Sequence, residues 1–233
     1  MMRLDKLLAN AGIGSRSEVK RLIKLGLIEV NQTITFDAGL NVDPQRDEVK
    51  VDGDPVSYQP FIYLMLNKPK GYVSATEDRT QSTVLSLIVG YEHRYLHLVG
   101  RLDKDTTGLI IITDDGALTH HLTSPKHEVA KTYVVNLDRP IEPSLVNTFQ
   151  EGFSLGIGEK VKPSLITLQG NLSEVILTIY EGKFHQVKRM FAKFGYDVIS
   201  LHRASVGALT LNDLPVGEYR ELTPDEVKQL KSL

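Results

Sequence analysis

The sequence predicts an α+β protein in which a small N-terminal module precedes a domain built on a mixed, mainly antiparallel β-sheet. Three observations predict it. Strand patterns outnumber helix patterns and do not alternate strictly with them. The first part of the chain divides into a basic stretch and an acidic one, and Pro55 and Pro60 then flank a candidate linker. We therefore predict a module over residues 1–57 and a second domain over residues 58–233 of the 233-residue chain.

The module is predicted to begin with two short amphipathic helices and to continue as a small sheet. The apolar residues of the first helix follow the i, i+3, i+4, i+7 spacing of one helix face: Leu4, Leu7, Leu8 and Ala11. Ser15 and Glu18 form a capping box that opens the second helix, and Gly26 provides its C-terminal stop.

Charge is unevenly distributed within this module. Residues 1–26 hold six basic against two acidic residues, whereas residues 27–57 hold two basic against seven acidic ones. The basic side chains of the first stretch are Arg3, Lys6, Arg16, Lys20, Arg21 and Lys24. Arg16, Lys20 and Lys24 share one helix face, which is either a solvated surface or a phosphate-binding one.

The second domain is predicted to contain more strands than helices. Apolar runs predict strands at residues 61–66, 108–113, 131–135, 164–168, 175–180, 198–201 and 206–211. The run at 61–66 is almost continuously apolar, which is typical of a strand buried on both faces. Helices are predicted at about 116–124, 143–151, 184–195 and 224–232, the last opened by a capping box from Thr223 to Glu226.

Several classes of function lack sequence support. The chain has no cysteine, so disulfides, thiolate metal sites and cysteine nucleophiles are excluded. It has neither the glycine-rich loop of P-loop proteins nor that of dinucleotide-binding proteins, and its histidines lack the spacing of a metal site. No apolar run approaches the length of a membrane span, and we expect a cytoplasmic protein that needs no metal or cofactor and binds no membrane.

One polar loop is a candidate catalytic segment. Residues 101–107 hold two acids, two bases and two hydroxyls between Gly100 and Gly108, with an apolar strand on each side. Polar groups in a loop that a rigid frame holds are typical of catalytic sites, although a turn with surface charges explains the pattern equally well.

A second polar segment is basic. Residues 181–203 hold five basic against two acidic residues, and Gly182 precedes the predicted helix. Val187, Met190, Phe191 and Phe194 follow a helical spacing that favours a core stripe over a base-stacking surface. The cations left for a phosphate or carboxylate partner are Lys183, Lys188, Arg189 and Lys193.

The whole chain resembles the RsuA-type ribosomal RNA pseudouridine synthases. The matching motifs lie at residues 67–72, 100–103 through 116, 131–133, 181–190 and 217–222. Residues 1–57 resemble the RNA-binding module named after ribosomal protein S4. Asn31-Gln32 departs from the Asn-Gly that this module usually carries in its hairpin, a change in a turn that leaves the chemistry untouched.

The resemblance implies isomerisation of a uridine in RNA to pseudouridine without a cofactor. Asp103 takes the position of the catalytic nucleophile, with attack on the sugar or on the base left open. Lys188 takes the position of the basic partner that keeps this carboxylate ionised, with Arg189 as the alternative. Tyr133 takes the position of a tyrosine that stacks on the uracil.

The resemblance also implies that the target base is flipped out of folded RNA, with Arg101 entering the vacated position. The residues expected to contact RNA are Arg3, Lys6, Arg16, Lys20, Arg21, Lys24, Lys68, Arg101, Lys183, Arg189 and Arg203. The motifs at residues 113–116 and 185–190 favour the small-subunit branch, whose target is uridine 516 of 16S rRNA. We expect a monomer whose partner is 16S rRNA or the assembling small ribosomal subunit.

Three alternatives stay open at this point. The chain is a synthase of the same family that modifies 23S rRNA, a non-catalytic RNA-binding protein of ribosome assembly, or a sugar hydrolase that pairs Asp103 with Asp105. A hydrolase needs a second carboxyl group placed as an acid, and no residue is clearly placed for that role.

Overall fold

The computed structural model describes residues 1–233 and divides into two compact units. The first unit comprises Met1–Phe61 together with Val89–Tyr95, and the second comprises Ile62–Ile88 together with Leu96–Leu233. The predicted boundary after residue 57 stays a prediction.

The first unit combines two helices with short strands. Its elements are β1 (Met2–Arg3), α1 (Leu4–Asn10), α2 (Arg16–Lys24), β2 (Ile28–Val30), β3 (Thr33–Ile34), β4 (Asn41–Val42), β5 (Val49–Val51) and β6 (Asp54–Pro55). Four strands form an antiparallel sheet in the order β3-β2-β5-β6, and β1 pairs with β4. Both predicted helices are confirmed, and the predicted capping box is present at Ser15 and Glu18.

The core of the first unit is built from the residues whose spacing predicts the helices. Leu4, Leu7 and Leu8 of α1 pack with Val19 and Ile23 of α2, and all five are buried. The opposite face of α2 is free of this packing, so Arg16, Lys20 and Lys24 are exposed.

A later segment of the chain also belongs to the first unit. The guanidinium of Arg94 donates hydrogen bonds to the carbonyl oxygens of Asn10, Gln59 and Pro60 at 2.9, 3.2 and 3.0 Å. Three carbonyl acceptors satisfy this buried cation and tie Val89–Tyr95 to the first unit.

The second unit contains eleven strands and four α-helices. Its elements are β7 (Tyr63–Lys68), β8 (His97–Val99), β9 (Thr107–Thr113), α3 (Gly116–Thr123), β10 (Lys131–Leu137), α4 (Leu145–Glu151), β11 (Ser154–Gly156), β12 (Glu159–Lys160), β13 (Leu165–Leu168), β14 (Glu174–Ile179), α5 (Gln186–Ala192), β15 (Val198–Val206), β16 (Leu209–Thr210), β17 (Tyr219–Glu221) and α6 (Pro224–Lys231). A short 3₁₀ helix spans Val84–Leu87.

A nine-stranded mixed sheet forms the frame of the second unit. Its main path is β13-β14-β10-β15-β9-β7-β17, with β16 beside β15 and β8 beside β9. Only the β9–β15 pair is parallel, so the predicted mixed, mainly antiparallel α+β fold is confirmed. The strand β7 is buried along nearly its whole length, as its apolar run predicts.

Some elements differ from their prediction. Helix α5 begins at Gln186 rather than 184, because His185 adopts a left-handed backbone conformation (φ 45°) that no helix can include. The strand predicted at 206–211 is instead the end of β15, a turn at Gly207 and the short β16.

Packing on the sheet comes from two groups of apolar side chains. Leu118 and Leu122 of α3 and Leu230 of α6 pack against Met65 and Ile111 of the sheet. A separate group of phenylalanines joins α4 to α5: Phe149, Phe153, Phe191 and Phe194. No helix has both the length and the apolar character to cross a bilayer.

Gly108 allows the one parallel junction in the sheet. A Cβ atom at this position would lie 2.3 Å from the carbonyl oxygen and 2.6 Å from the nitrogen of Arg203. Only glycine lets the two backbones approach so closely. The junction sits at the start of β9, directly after the polar loop at residues 100–106, and therefore brings this loop beside β15.

Candidate active site

The loop between β8 and β9 is held in shape by hydrogen bonds to its backbone. The Ser74 hydroxyl donates to the carbonyl oxygen of Leu102 at 2.7 Å and accepts from the amide of Leu102 at 3.0 Å. The amide of Thr106 donates to the carbonyl oxygen of Asp103 at 3.1 Å, which closes a tight turn. Asp103 therefore projects from a backbone that is braced on both sides.

A buried lysine, Lys68, supports the same turn through hydrogen bonds to its backbone carbonyl oxygens. Lys68, the last residue of β7, is fully buried. Its ammonium group donates to four carbonyl oxygens: those of Pro69 at 3.1 Å, Asp103 at 3.1 Å, Lys104 at 3.4 Å and Thr106 at 2.8 Å. Burial lowers the pKa of Lys68 to about 8.

The expectation that Lys68 holds an RNA phosphate is wrong in this structure. Its ammonium group is enclosed and its donors are taken by backbone carbonyls, so no donor faces solvent. Hydrogen bonds to a charged group are stronger than neutral ones, and here they fix the backbone that carries Asp103.

Two cationic or polar groups approach the carboxylate of Asp103. Lys188 Nζ lies 3.3 Å from Asp103 Oδ2, and His185 Nε2 lies 3.4 Å from Asp103 Oδ1. The Asp103 side chain is 27% exposed, so it is accessible to a ligand but not surrounded by bulk water. The predicted pairing of Asp103 with Lys188 is present.

Lys188 is shared between two carboxylates. Its Nζ lies closer to Asp105 Oδ1, at 2.6 Å, than to Asp103. Partial burial lowers the pKa of Lys188, but the hydrogen bonds and charges of Asp105 and Asp103 outweigh burial, and the net pKa is raised. The hydrogen bond from Lys188 is the main cause that lowers the pKa of Asp105. Lys188 is therefore a permanent cation next to Asp103.

Arg189, the alternative basic partner of Asp103, contacts Glu159 and Phe184 instead. Its guanidinium pairs with both carboxylate oxygens of Glu159 and donates to the carbonyl oxygen of Phe184. It does not contact Asp103, so Lys188 alone fills that role. A contact of Arg189 with RNA stays a prediction.

Tyr133 and Arg203 lie opposite each other on neighbouring strands. Tyr133 of β10 is 7% exposed and pairs in register with Arg203 of β15. Arg203 Nε donates to the carbonyl oxygen of Leu109 at 2.7 Å, and its buried Nη2 has no hydrogen-bond partner. Arg203 is nearly fully buried, and its predicted contact with phosphate stays a prediction.

One cavity of about 550 Å³ is lined by several of these groups: Asp103, Tyr133, His185, Lys188 and Arg203. Asp103 and Tyr133 are both part of its wall, so the two residues predicted to act on the base face the same space. The cationic side chains in the wall are Arg101, Lys104, Lys131, Lys183, Lys188 and Arg203. One carboxylate among six cations makes this cavity suited to an anionic ligand.

The other residues predicted to contact RNA are placed as follows. Arg101 is exposed on the cavity wall, and Lys183 lies 3.4 Å from Glu181 and also bonds the Lys160 carbonyl. In the first unit Arg3 is paired with Asp5 at 3.0 Å. The remaining predicted cations of that unit are exposed: Lys6, Arg16, Lys20, Arg21 and Lys24.

Three groups of the site escape prediction from the sequence. Ser74 is one serine among many, and only the fold shows that it braces Leu102. Lys131 lines the cavity, where burial and then the charge of Arg203 lower its pKa to about 8. His185 precedes α5 in a left-handed conformation, so helical spacing does not predict that it lies beside Asp103 together with Lys188.

Comparison with known proteins identifies the family. Residues 62–193 match the RNA pseudouridylate synthase family, and residues 2–49 match the S4 domain. The chain belongs to the RNA pseudouridylate synthase family. It is 46% identical to an uncharacterized RNA pseudouridine synthase of Bacillus subtilis, YtzG, over 98% of both chains.

Two further matches cover nearly the whole synthase. The chain is 43% identical to the ribosomal small subunit pseudouridine synthase A of Escherichia coli K12, over 97% of this chain and 98% of that one. A solved structure described as a pseudouridylate synthase superimposes with a TM-score of 0.69 at 38% identity, covering 99% of this chain and all of that one. The predicted RNA pseudouridine synthase activity and the S4-like module are thus confirmed.

Proposed function

We propose that this synthase isomerises uridine 516 of 16S rRNA to pseudouridine, using Asp103 as the nucleophile. The observation that carries the proposal is the geometry around Asp103: a half-buried carboxylate with Lys188 at 3.3 Å, in one cationic cavity with Tyr133. Full-length similarity to synthases named for the ribosomal small subunit supports 16S rRNA as the substrate.

The nucleophile is kept in its reactive form by its neighbour. A carboxylate must be ionised to attack, and a cation about 3–4 Å away favours the ionised form over the neutral one. Lys188 provides that cation, and Asp105 on its far side keeps it protonated. The braced turn beneath Asp103 holds the carboxylate in place, because Lys68 and Ser74 fix the backbone around it.

The reaction redistributes bonds within one nucleotide. The N1–C1′ bond of uridine breaks, a C5–C1′ bond forms, and the proton that leaves C5 is balanced by one gained at N1. Asp103 attacks either C1′ of the sugar or the uracil ring and is released unchanged. Nothing is added or lost, so the chain's own residues suffice for the chemistry.

The uridine reaches Asp103 by leaving its helix. Extruding a base costs a few kcal/mol of stacking and pairing. Tyr133, whose ring lies on the cavity wall, stacks on the extruded uracil and repays part of that cost. Arg101, exposed at the same cavity, enters the position that the base leaves.

The same residues fit a sugar hydrolase less well than a pseudouridine synthase. Such an enzyme needs a second carboxyl group that is protonated near neutral pH, which requires a raised pKa. The neighbouring carboxyl is Asp105, and its hydrogen bond with Lys188 lowers its pKa instead. Asp105 therefore cannot supply the proton to a leaving base.

The test is to map pseudouridine after incubating the purified synthase with unmodified 16S rRNA, 23S rRNA and partly assembled small subunits. We expect a single new pseudouridine at position 516 of the 16S chain. Modification of 23S rRNA would overturn the target, release of free uracil would favour a hydrolase, and a lack of any product would favour a non-catalytic RNA-binding protein.

A further inference from the structure

Phe184 is a large aromatic side chain left exposed on the wall of the active-site cavity. It is 77% exposed, whereas the apolar residues that follow it on α5, Val187, Met190 and Phe191, are buried. An aromatic ring that is exposed on the wall of a cationic cavity is available to stack on a ligand.

The ring of Phe184 is held in a fixed orientation by its neighbour. It stacks on the ring of His185 with centroids 3.8 Å apart and an angle of 17° between the planes. Successive side chains diverge in helices and strands, but His185 adopts the left-handed conformation, which lets the two rings lie face to face. The Nε2 atom of the same His185 ring lies 3.4 Å from Asp103 Oδ1. The orientation of Phe184 is thus linked to the catalytic carboxylate.

We propose that Phe184 is a stacking platform for the base of a nucleotide next to the target uridine. The proposal rests on the proposed function and names a second base-binding position in the same site. Tyr133 lies deep in the cavity at 7% exposure and suits the extruded uracil, whereas Phe184 at the exposed edge suits a base that stays outside. Every base has a flat π-face, so stacking here strengthens RNA binding with little sequence preference.

The charges around Phe184 fit the same ligand. Lys183 precedes it in the chain, and Lys104 and Arg101 belong to the same cavity wall. These cations are placed to neutralise the phosphates that flank a stacked base, which is the usual arrangement of single-stranded RNA sites.

The first experiment measures RNA binding by Phe184→Ala and Phe184→Tyr. The probes are a 16S rRNA fragment centred on uridine 516 and the same fragment with an abasic site beside the target. Removing a stacking ring weakens binding by roughly 5- to 150-fold, and we expect Phe184→Ala to raise the Kd by that amount while Phe184→Tyr retains affinity. The abasic site should weaken wild-type binding but add little to Phe184→Ala, since both remove the same contact.

The control variant is Ile157→Ala, which truncates a fully exposed apolar residue that does not line the cavity. We expect it to bind as the wild type does. Equal affinity of Phe184→Ala and wild type for the intact fragment, or fully additive losses with the abasic probe, would overturn the platform. Pseudouridine formation by the wild type on the same fragment separates this failure from a failure of the proposed function.

The second experiment uses a tryptophan reporter. The chain has no tryptophan, so Phe184→Trp and Ile157→Trp each introduce a single one. Stacking of a base should quench the fluorescence of Phe184→Trp when the 16S fragment or a single-stranded oligouridine is added, and leave that of Ile157→Trp unchanged. Saturable RNA binding without quenching of Phe184→Trp would contradict the proposal, even if the fragment is not a substrate.

Discussion

The basic face of the first unit and the cavity of the second unit use cations in different ways. On α2, Arg16, Lys20 and Lys24 are exposed to solvent. In the cavity, Lys188 is bound between two carboxylates, and behind the loop that carries Asp103 Lys68 is enclosed by carbonyl oxygens. Exposed cations attract phosphates wherever these lie, whereas enclosed cations fix the position of particular atoms.

Three lysines show this difference as a gradient of burial. Lys20 is exposed, the side chain of Lys188 is 27% exposed, and Lys68 is fully buried. The more a lysine is buried, the more its contribution depends on specific partners and the less on ionic strength. Substitutions along this gradient should therefore separate catalysis, stability and binding.

The largest effect is expected at Lys188. Replacing it by alanine leaves Asp103 without its permanent cation, so the rate of pseudouridine formation at saturating RNA should fall by roughly 10²- to 10³-fold. RNA affinity should change little by comparison. The rate is measured by single-turnover conversion of the 16S fragment, with Lys193→Ala, an exposed lysine just beyond α5, as the control. A weaker affinity with an unchanged rate would place Lys188 among the binding cations.

The next effect is expected at Lys68. Lys68→Met removes the donor that four carbonyl oxygens share, which should lower the free energy of unfolding by about 2–4 kcal/mol. Denaturant unfolding measures the change, and Lys70→Met, an exposed lysine two residues later, is the control. A loss no larger than that of the control would show that Lys68 does not support the turn.

The difference in stability between the wild type and Lys68→Met should also depend on pH, in a direction that the pKa of Lys68 defines. Folding lowers the pKa of Lys68 from 10.5 to about 8, so between these pH values the unfolded chain binds more protons than the folded one. The stability of wild type relative to Lys68→Met should therefore increase as pH rises from about 8 to 10.5. A decrease over that range would mean that the charged form is favoured by folding.

A smaller and different effect is expected on α2. The triple variant Arg16→Ala, Lys20→Ala, Lys24→Ala should reduce RNA affinity and lower the slope of log Kd against log salt by about 2–3, with the rate at saturating RNA unchanged. The control is Arg46→Ala with Lys50→Ala, two cations already paired with acidic neighbours in the same unit. A slower rate of pseudouridine formation at saturating RNA would contradict the distinction between the exposed cations of α2, which bind RNA, and the enclosed cations of the cavity, which support catalysis.

Much of this architecture follows from local patterns in the sequence. The helix spacing and the capping box of α2 depend only on residues a few positions apart, and both are present as predicted. The buried strand β7 was predictable for the same reason. Short strands such as β17 were missed, because three residues without an apolar run leave no pattern to detect.

Only those site residues that belong to a recognisable sequence motif were predictable. Asp103, Tyr133 and Lys188 were identified by motif, and the structure places all three on one cavity. The role of Lys68 was not predictable from the sequence. A lysine in such a motif suggests a phosphate contact, and only the structure shows that Lys68 is fully buried. The stacking of Phe184 on His185 depends on one left-handed residue, which a spacing rule does not reveal.

The central claim is that the carboxylate of Asp103 performs the chemistry without being needed for RNA binding. Asp103→Asn keeps the shape of the side chain and removes its charge, so it tests the claim most directly in one assay of conversion and binding on the same 16S fragment. We expect no detectable pseudouridine and a Kd within about threefold of wild type, since asparagine fills the same space and the cations of the cavity wall are unchanged. Pseudouridine formed by the purified Asp103→Asn protein would contradict the account.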